Sequence, residues 1–176
     1  GGTVGGVRRV TSWVGRASPG AAAGVGNAVR RGTSGGRRSG ASAQVQASKL
    51  IGFGASDNTI GGAAGEGTNV ISSNMGYGIQ IAYTDTSENA VYNNVIGYDP
   101  SGRKGMKNQS GGVLIASGAT DNHIGDPDFS RFNTIFSNAG DGIRVDGEET
   151  LRNSINMNLI SSNQGKGIRL ENGANG

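Results

Sequence analysis

The sequence predicts an all-β fold from residue 50 to the end, a right-handed parallel β-helix (solenoid) of about four to five coils, preceded by a low-complexity segment over 1–49. Three observations predict it: a glycine content unsuited to a globular core, a self-similarity at a distance of 64 residues, and short strand strings that recur between the glycines.

Composition comes first. The 176 residues hold 34 Gly, one Trp and four Phe, and only 34% are hydrophobic, which argues for a fold of many turns over a large packed core. The glycines lack the every-third spacing of collagen, and the Asn-rich, β-branched stretches between them are too regular for a disordered chain. No apolar run approaches the roughly 18 residues of a membrane span. With no cysteine there are no disulfides and no thiolate metal sites. The chain opens and closes in mid-pattern, so the sequence reads as truncated at both ends.

Sliding the sequence by 64 positions without a gap carries Leu50, Ile51, Gly54, Ala55, Asp57, Asn58, Ile60 and Gly61 onto Leu114, Ile115, Gly118, Ala119, Asp121, Asn122, Ile124 and Gly125. The register persists through Asn69, Ile71, Asn74, Gly78 and Ile79, which fall on Asn133, Ile135, Asn138, Gly142 and Ile143, and reaches Ile96 on Ile160. Each 64-residue unit contains two coils. A coil is a Gly-hydrophobic-x-hydrophobic strand (GIQI at 78–81, GVLI at 112–115, GIRV at 142–145, GIRL at 167–170) followed by two Asn-x-Ile or Asn-x-Val strands.

One such coil has nothing to bury its apolar side against until another stacks on it, at roughly 4.8 Å, in parallel. Ile79, Ile81, Val113, Ile115, Ile143, Val145, Ile168 and Leu170 are then expected to line one interior row, and Ile71, Ile96, Ile135 and Ile160 another. Asn69, Asn94, Asn133 and Asn158 are expected to form a structural ladder of side-chain amides, with Asn58, Asn89, Asn122, Asn153, Asn74, Asn138 and Asn163 recurring in the same manner. Asparagine also tolerates the left-handed backbone that a sharp corner needs.

The strings NVISSNMGYGIQI (69–81), NTIFSNAGDGIRV (133–145) and NLISSNQGKGIRL (158–170) resemble the repeats of pectate-lyase-like parallel β-helix proteins, in particular the Asn/Gly-rich repeats of secreted or surface-displayed bacterial ones. The resemblance covers residues 50–176. It implies the fold and an extracellular or cell-surface location, while the superfold itself carries lyases, hydrolases, epimerases, adhesins and plain stalks.

Residues 1–49 contain seven Arg and Lys49 but no Asp, Glu, Ile or Leu, so the net charge of +3 divides into a basic head and an acidic remainder. Because the repeat register stops abruptly at Leu50, the segment reads as disordered or as GC-rich DNA translated out of frame. A real basic arm would favour an anionic polymer or membrane surface, and specific nucleic-acid binding is not implied.

Candidate chemistry falls on the longest loops, Gly61–Thr68, Gly97–Gly111 and Gly125–Phe132, because turns vary where strands are constrained. Asp126, Asp128, Phe129, Arg131 and Phe132 offer carboxylates, a cation and aromatics suited to a sugar, and Asp99 lies in a second loop. Asp99-Pro100-Ser101-Gly102 is also a good β-turn. Asp141, Asp146, Glu148 and Glu149 form an acidic flank that calcium would suit, but without a spaced Asp-x-Asp-x-Asp pattern the expectation is a solvated surface and no cofactor. His123, the single histidine, alternates outward. The paired Asp-Asp, Gly-His-Gly and Arg-x-Lys of pectinolytic hydrolases and the R-x-P-x-x-R of the lyases are absent, and the catalytic residues of any enzyme here stay unknown. The reading is a structural or adhesive segment facing polysaccharide or cell-surface glycan, of unassigned oligomeric state. Its alternative is a fragment of a polysaccharide-active lyase, hydrolase or epimerase.

Overall fold

The computed structural model describes residues 13–14, 16–17, 25–26, 49–62, 68–98, 106–126 and 131–175. The head holds three two-residue strands, β1 (Trp13–Val14), β2 (Arg16–Ala17) and β3 (Val25–Gly26). A first coil follows with β4 (Lys49–Gly52), the short β5 (Ala55–Ser56), β6 (Thr59–Gly61) and β7 (Asn69–Ile71). The second coil has β8 (Tyr77–Ala82), β9 (Ala90–Tyr92) and β10 (Asn94–Ile96), and the third has β11 (Gly111–Ala116), β12 (His123–Ile124) and β13 (Thr134–Phe136). The fourth contributes β14 (Asp141–Asp146), β15 (Ser154–Ile155) and β16 (Leu159–Ser161), and β17 (Ile168–Glu171) opens a fifth.

The chain visits three sheets in rotation. A five-stranded sheet runs β17-β14-β11-β8-β4, a second runs β15-β12-β9-β6 and a third runs β16-β13-β10-β7, with every pairing between successive coils parallel. The three sheets are open rather than closed on themselves, an all-β arrangement compatible with a β-helix-like solenoid. In the head, β1 pairs with β3 and β2 with β5, both antiparallel. The expectation of disorder over 1–49 otherwise lies outside the described residues, apart from Lys49, which belongs to β4.

Register explains burial. Ile79, Val113 and Ile143 stack in one row and Ile81, Ile115 and Val145 in the next, all fully buried, while Val91 with Ile124 and Ile96 with Ile135 do the same in the other two sheets. Ile168 and Leu170 occupy the matching positions of β17 but are 47% and 54% exposed, which corrects their expected interior burial: no strand pairs beyond β17 among the described residues. The glycine at the second position of β8, β11 and β14 is a close-approach residue. A Cβ on Gly78, Gly112 or Gly142 would come within 2.8, 2.6 and 2.6 Å of the Cγ2 of Ile96, Ile135 and Ile160 in the third sheet.

Asparagine amides run along all three corners. Nδ2 of Asn58 donates to Oδ1 of Asn89, Asn89 to Asn122 and Asn122 to Asn153, at 2.9, 2.9 and 3.0 Å. Asn69, Asn94, Asn133 and Asn158 form a second ladder at 2.9, 3.0 and 2.9 Å. Asn74, Asn108, Asn138 and Asn163 form a third at 2.7, 2.8 and 2.9 Å. The remaining amide hydrogens reach backbone carbonyls such as those of Val91 and Ile96, and Val91 O accepts from Gly125 N as well. The left-handed backbone is not on these asparagines. It falls on the residue before, Asp57, Glu88, Asp121 and Arg152 (φ 58, 56, 56 and 55°) in the first ladder, because that residue turns the chain and the following side chain is thereby swung inward.

The 64-residue period has a structural origin in alternating corners. Between the first and second sheets the corner is one residue longer in the second and fourth coils (Ala82 to Asn89, Asp146 to Asn153) than in the first and third (Gly52 to Asn58, Ala116 to Asn122). The extra residue accommodates buried Thr86 and Thr150. Their Oγ1 atoms accept from Gly54 N and Gly118 N of the preceding coil, at 3.2 and 3.1 Å, and donate to Ala82 O and Asp146 O. Between the second and third sheets the alternation reverses, and the first and third coils carry the long corners, Asn58 to Asn69 and Asn122 to Asn133.

Candidate functional site

The two long corners leave the second sheet at Gly61 and Gly125, whose φ values of 124° and 81° lie in the left-handed region. A Cβ at either would run into the carbonyl oxygen of the coil below, Tyr92 O and Asn156 O. Both loops thus leave the stack at the same corner, two coils apart, with the tight Tyr92–Asn93 corner between them.

Of the candidates on the second loop, Asp126 and Arg131 come together. Arg131 Nη2 is 2.6 Å from Asp126 Oδ2, and its guanidinium carbon sits 4.9 Å from the centroid of the Tyr92 ring on the coil before. The pair closes the base of the loop and clamps it to the neighbouring coil, an arrangement worth on the order of 1 kcal/mol at a partly exposed site. Phe132 is 47% exposed. Asp128, Phe129 and Asp99 lie outside the described residues, as do 63–67 of the first loop. Tyr92 was not foreseen in the sequence, because its neighbour across the coil is 39 positions away and no motif joins them.

The acidic flank is threaded with arginines. Arg144 Nη2 meets Asp146 Oδ2 at 3.0 Å and Glu171 Oε2 at 2.7 Å, and Arg169 pairs with Glu171 and lies 3.8 Å from Asp141 Oδ2. Asp141 Oδ1 also accepts from the Lys166 N–H at 2.7 Å. Among the described residues, no three His, Cys, Asp or Glu side chains are grouped closely enough to hold a metal ion, Glu148 and Glu149 included.

On the outer face of the second sheet, His123 and Ser154 are neighbours in register, and Nδ1 of His123 lies 2.6 Å from Ser154 Oγ. His123 points outward, as alternation requires. Beside it, Arg152 donates from Nε and Nη2 to both oxygens of Asp121 at 2.8 and 2.7 Å. These hydrogen bonds from Arg152 hold the Asp121 carboxyl below its ordinary range. Sequence spacing hid both pairs, since each joins residues 31 positions apart through stacking alone.

Comparison with protein-family models, with curated proteins and with solved structures gives no match for this chain. No helix of the described residues is long and apolar enough to cross a membrane.

Proposed function

We propose that residues 50–176 are a right-handed parallel β-helix of the pectate-lyase-like kind, and that they serve as a structural and adhesive segment of a secreted or surface-displayed bacterial protein. In this reading its outer faces meet polysaccharide or cell-surface glycan. Right-handedness is supported by the strong preference of crossovers between parallel strands of one sheet.

One observation carries the functional reading: the asparagine ladders pass without a break beside both long corners, and Asp126, Arg131, Asp121 and Arg152 neutralise one another in pairs. The paired carboxylates of a glycosidase, by contrast, face each other across the scissile bond. Incubating the chain with immobilised acidic and neutral polysaccharides tests this. The expected result is retention on a glycan surface with no release of reducing or unsaturated ends. Turnover that disappears in Asp126→Asn or Asp99→Asn would transfer the chain to the polysaccharide-active enzymes, and failure of retention on every surface would remove the adhesive half of the proposal.

A further inference from the structure

We infer that Phe53 and Tyr83, at the corner between the first and second sheets, form an aromatic platform that takes the ring of an uncharged sugar. The inference rests on the glycan reading and adds to it a place and a class of sugar.

The residue that follows each strand of the first sheet turns the chain with left-handed backbone: φ is 58° at Phe53, 81° at Tyr83, 58° at Ser117 and 104° at Gly147. Glycine meets that demand at no steric cost, and a bulky side chain suits it least. The 64-residue register sets Ser117 against Phe53 and Gly147 against Tyr83, so the short and the long form of this corner both close without an aromatic ring. The turn itself therefore does not require the two rings.

The rings stack across successive coils, with centroids 4.2 Å apart and planes 17° from parallel. Stacking covers one face of each, yet Tyr83 stays 42% exposed although a coil lies on either side of it. The openness of the platform is thus read inside the stack, between the first coil and the third. The negative π face of an aromatic ring attracts the partly positive C–H groups that a pyranose presents on one side, and a parallel pair of rings widens the surface that can do so.

The polar groups beside the platform set the class of sugar. Thr84 and Asp85 follow Tyr83 and are exposed. A Cβ placed on Gly118 of the next coil would meet Thr84 Cγ2 at 3.0 Å and Glu149 Oε2 at 3.8 Å, so the exposed Glu149 reaches the same corner. Among the described residues neither Asp85 nor Glu149 is in an ion pair. Carboxylates accept hydrogen bonds from sugar hydroxyls and repel a uronate or a sulfate, which selects an uncharged ring over an acidic one.

The test is an NMR titration of the intact chain with two neutral oligosaccharides, cellohexaose and mannohexaose, and with an acidic trimer of galacturonic acid. At least one neutral oligosaccharide should shift the ring resonances of Phe53 and Tyr83, and the acidic trimer should leave them in place. Phe53→Ser and Tyr83→Gly install the residues of the sister corners, so each should weaken that binding about tenfold with the circular dichroism unchanged. Ring resonances unmoved by both neutral oligosaccharides, an equal response to the acidic trimer, or undiminished binding in both variants would overturn the inference. Retention on immobilised polysaccharide separates it from the glycan reading. If the double variant is retained as well as the unaltered chain, the platform falls and the glycan reading stands; if the unaltered chain is retained on no surface, both fall.

Discussion

Asn133 shows how much one side chain carries in this architecture. Its Oδ1 accepts from both N and Nδ2 of Asn94, and its Nδ2 donates to Val91 O and Asn158 Oδ1, while Asn133 itself is fully buried. Asn133→Ala leaves the buried Asn94 N–H without an acceptor, at about 1–3 kcal/mol, and deletes three further hydrogen bonds, so urea denaturation should show a loss of about 2 kcal/mol or more. Lys49 is a different case: it holds the inward register position above Ile79, and desolvation lowers its pKa. A lysine lowered in the folded state costs stability while it must be charged, and the cost fades as pH rises from the folded value toward the ordinary lysine value of 10.5. Lys49→Met should therefore stabilise near neutral pH, and its advantage in melting temperature should shrink as pH climbs toward that value. The ladder role of the asparagines was legible from their recurrence alone. Which residue takes the left-handed backbone was not, since Asp57 and Asp121 suit a turn but Glu88 and Arg152 share the position and carry no turn signature of their own.

At the scale of the element, the corners decide the pattern. Thr150→Val keeps the volume but deprives Gly118 N and Asp146 O of their partner, and should cost about 1–3 kcal/mol. Thermal unfolding reads both changes, and Thr134→Val, on the outer face of the third sheet, should stay within about 0.5 kcal/mol. The first strands were legible because Gly-hydrophobic-x-hydrophobic encodes both the close approach to the third sheet and the buried row. Asn108 was hidden: the 64-residue register carries it onto Asn172, which lies at another corner, because the long segment after β10 displaces the third ladder from the repeat. Thr86 and Thr150 are 64 positions apart, and their hydroxyl role needs the neighbouring coil's glycine N–H to be recognised.

For the whole molecule, stability is a sum over coils and the interfaces between successive coils, so what a corner carries is separable from what holds the stack. Replacing residues 125–132 with the sister sequence of 61–68 removes the Asp126–Arg131 pair and its contact with Tyr92 while keeping a corner the fold already uses. The exchange should change the unfolding free energy by no more than about 1–2 kcal/mol. The candidate site was legible only as a loop composition. Its partners across the coils, Tyr92 for Arg131 and Ser154 for His123, are set by stacking register, and no spacing within the chain announces them. The central claim is that parallel coils are held by three continuous ladders, and amide hydrogen exchange read by NMR tests it most directly. The main-chain N–H groups of Asn74, Asn89, Asn94, Asn122 and Asn138, which donate to the asparagine of the next coil, should be among the slowest to exchange, together with the buried strands β8, β11 and β14. Rapid exchange at those five corners, with protection confined to the strands, would contradict the ladders as a stabilising framework.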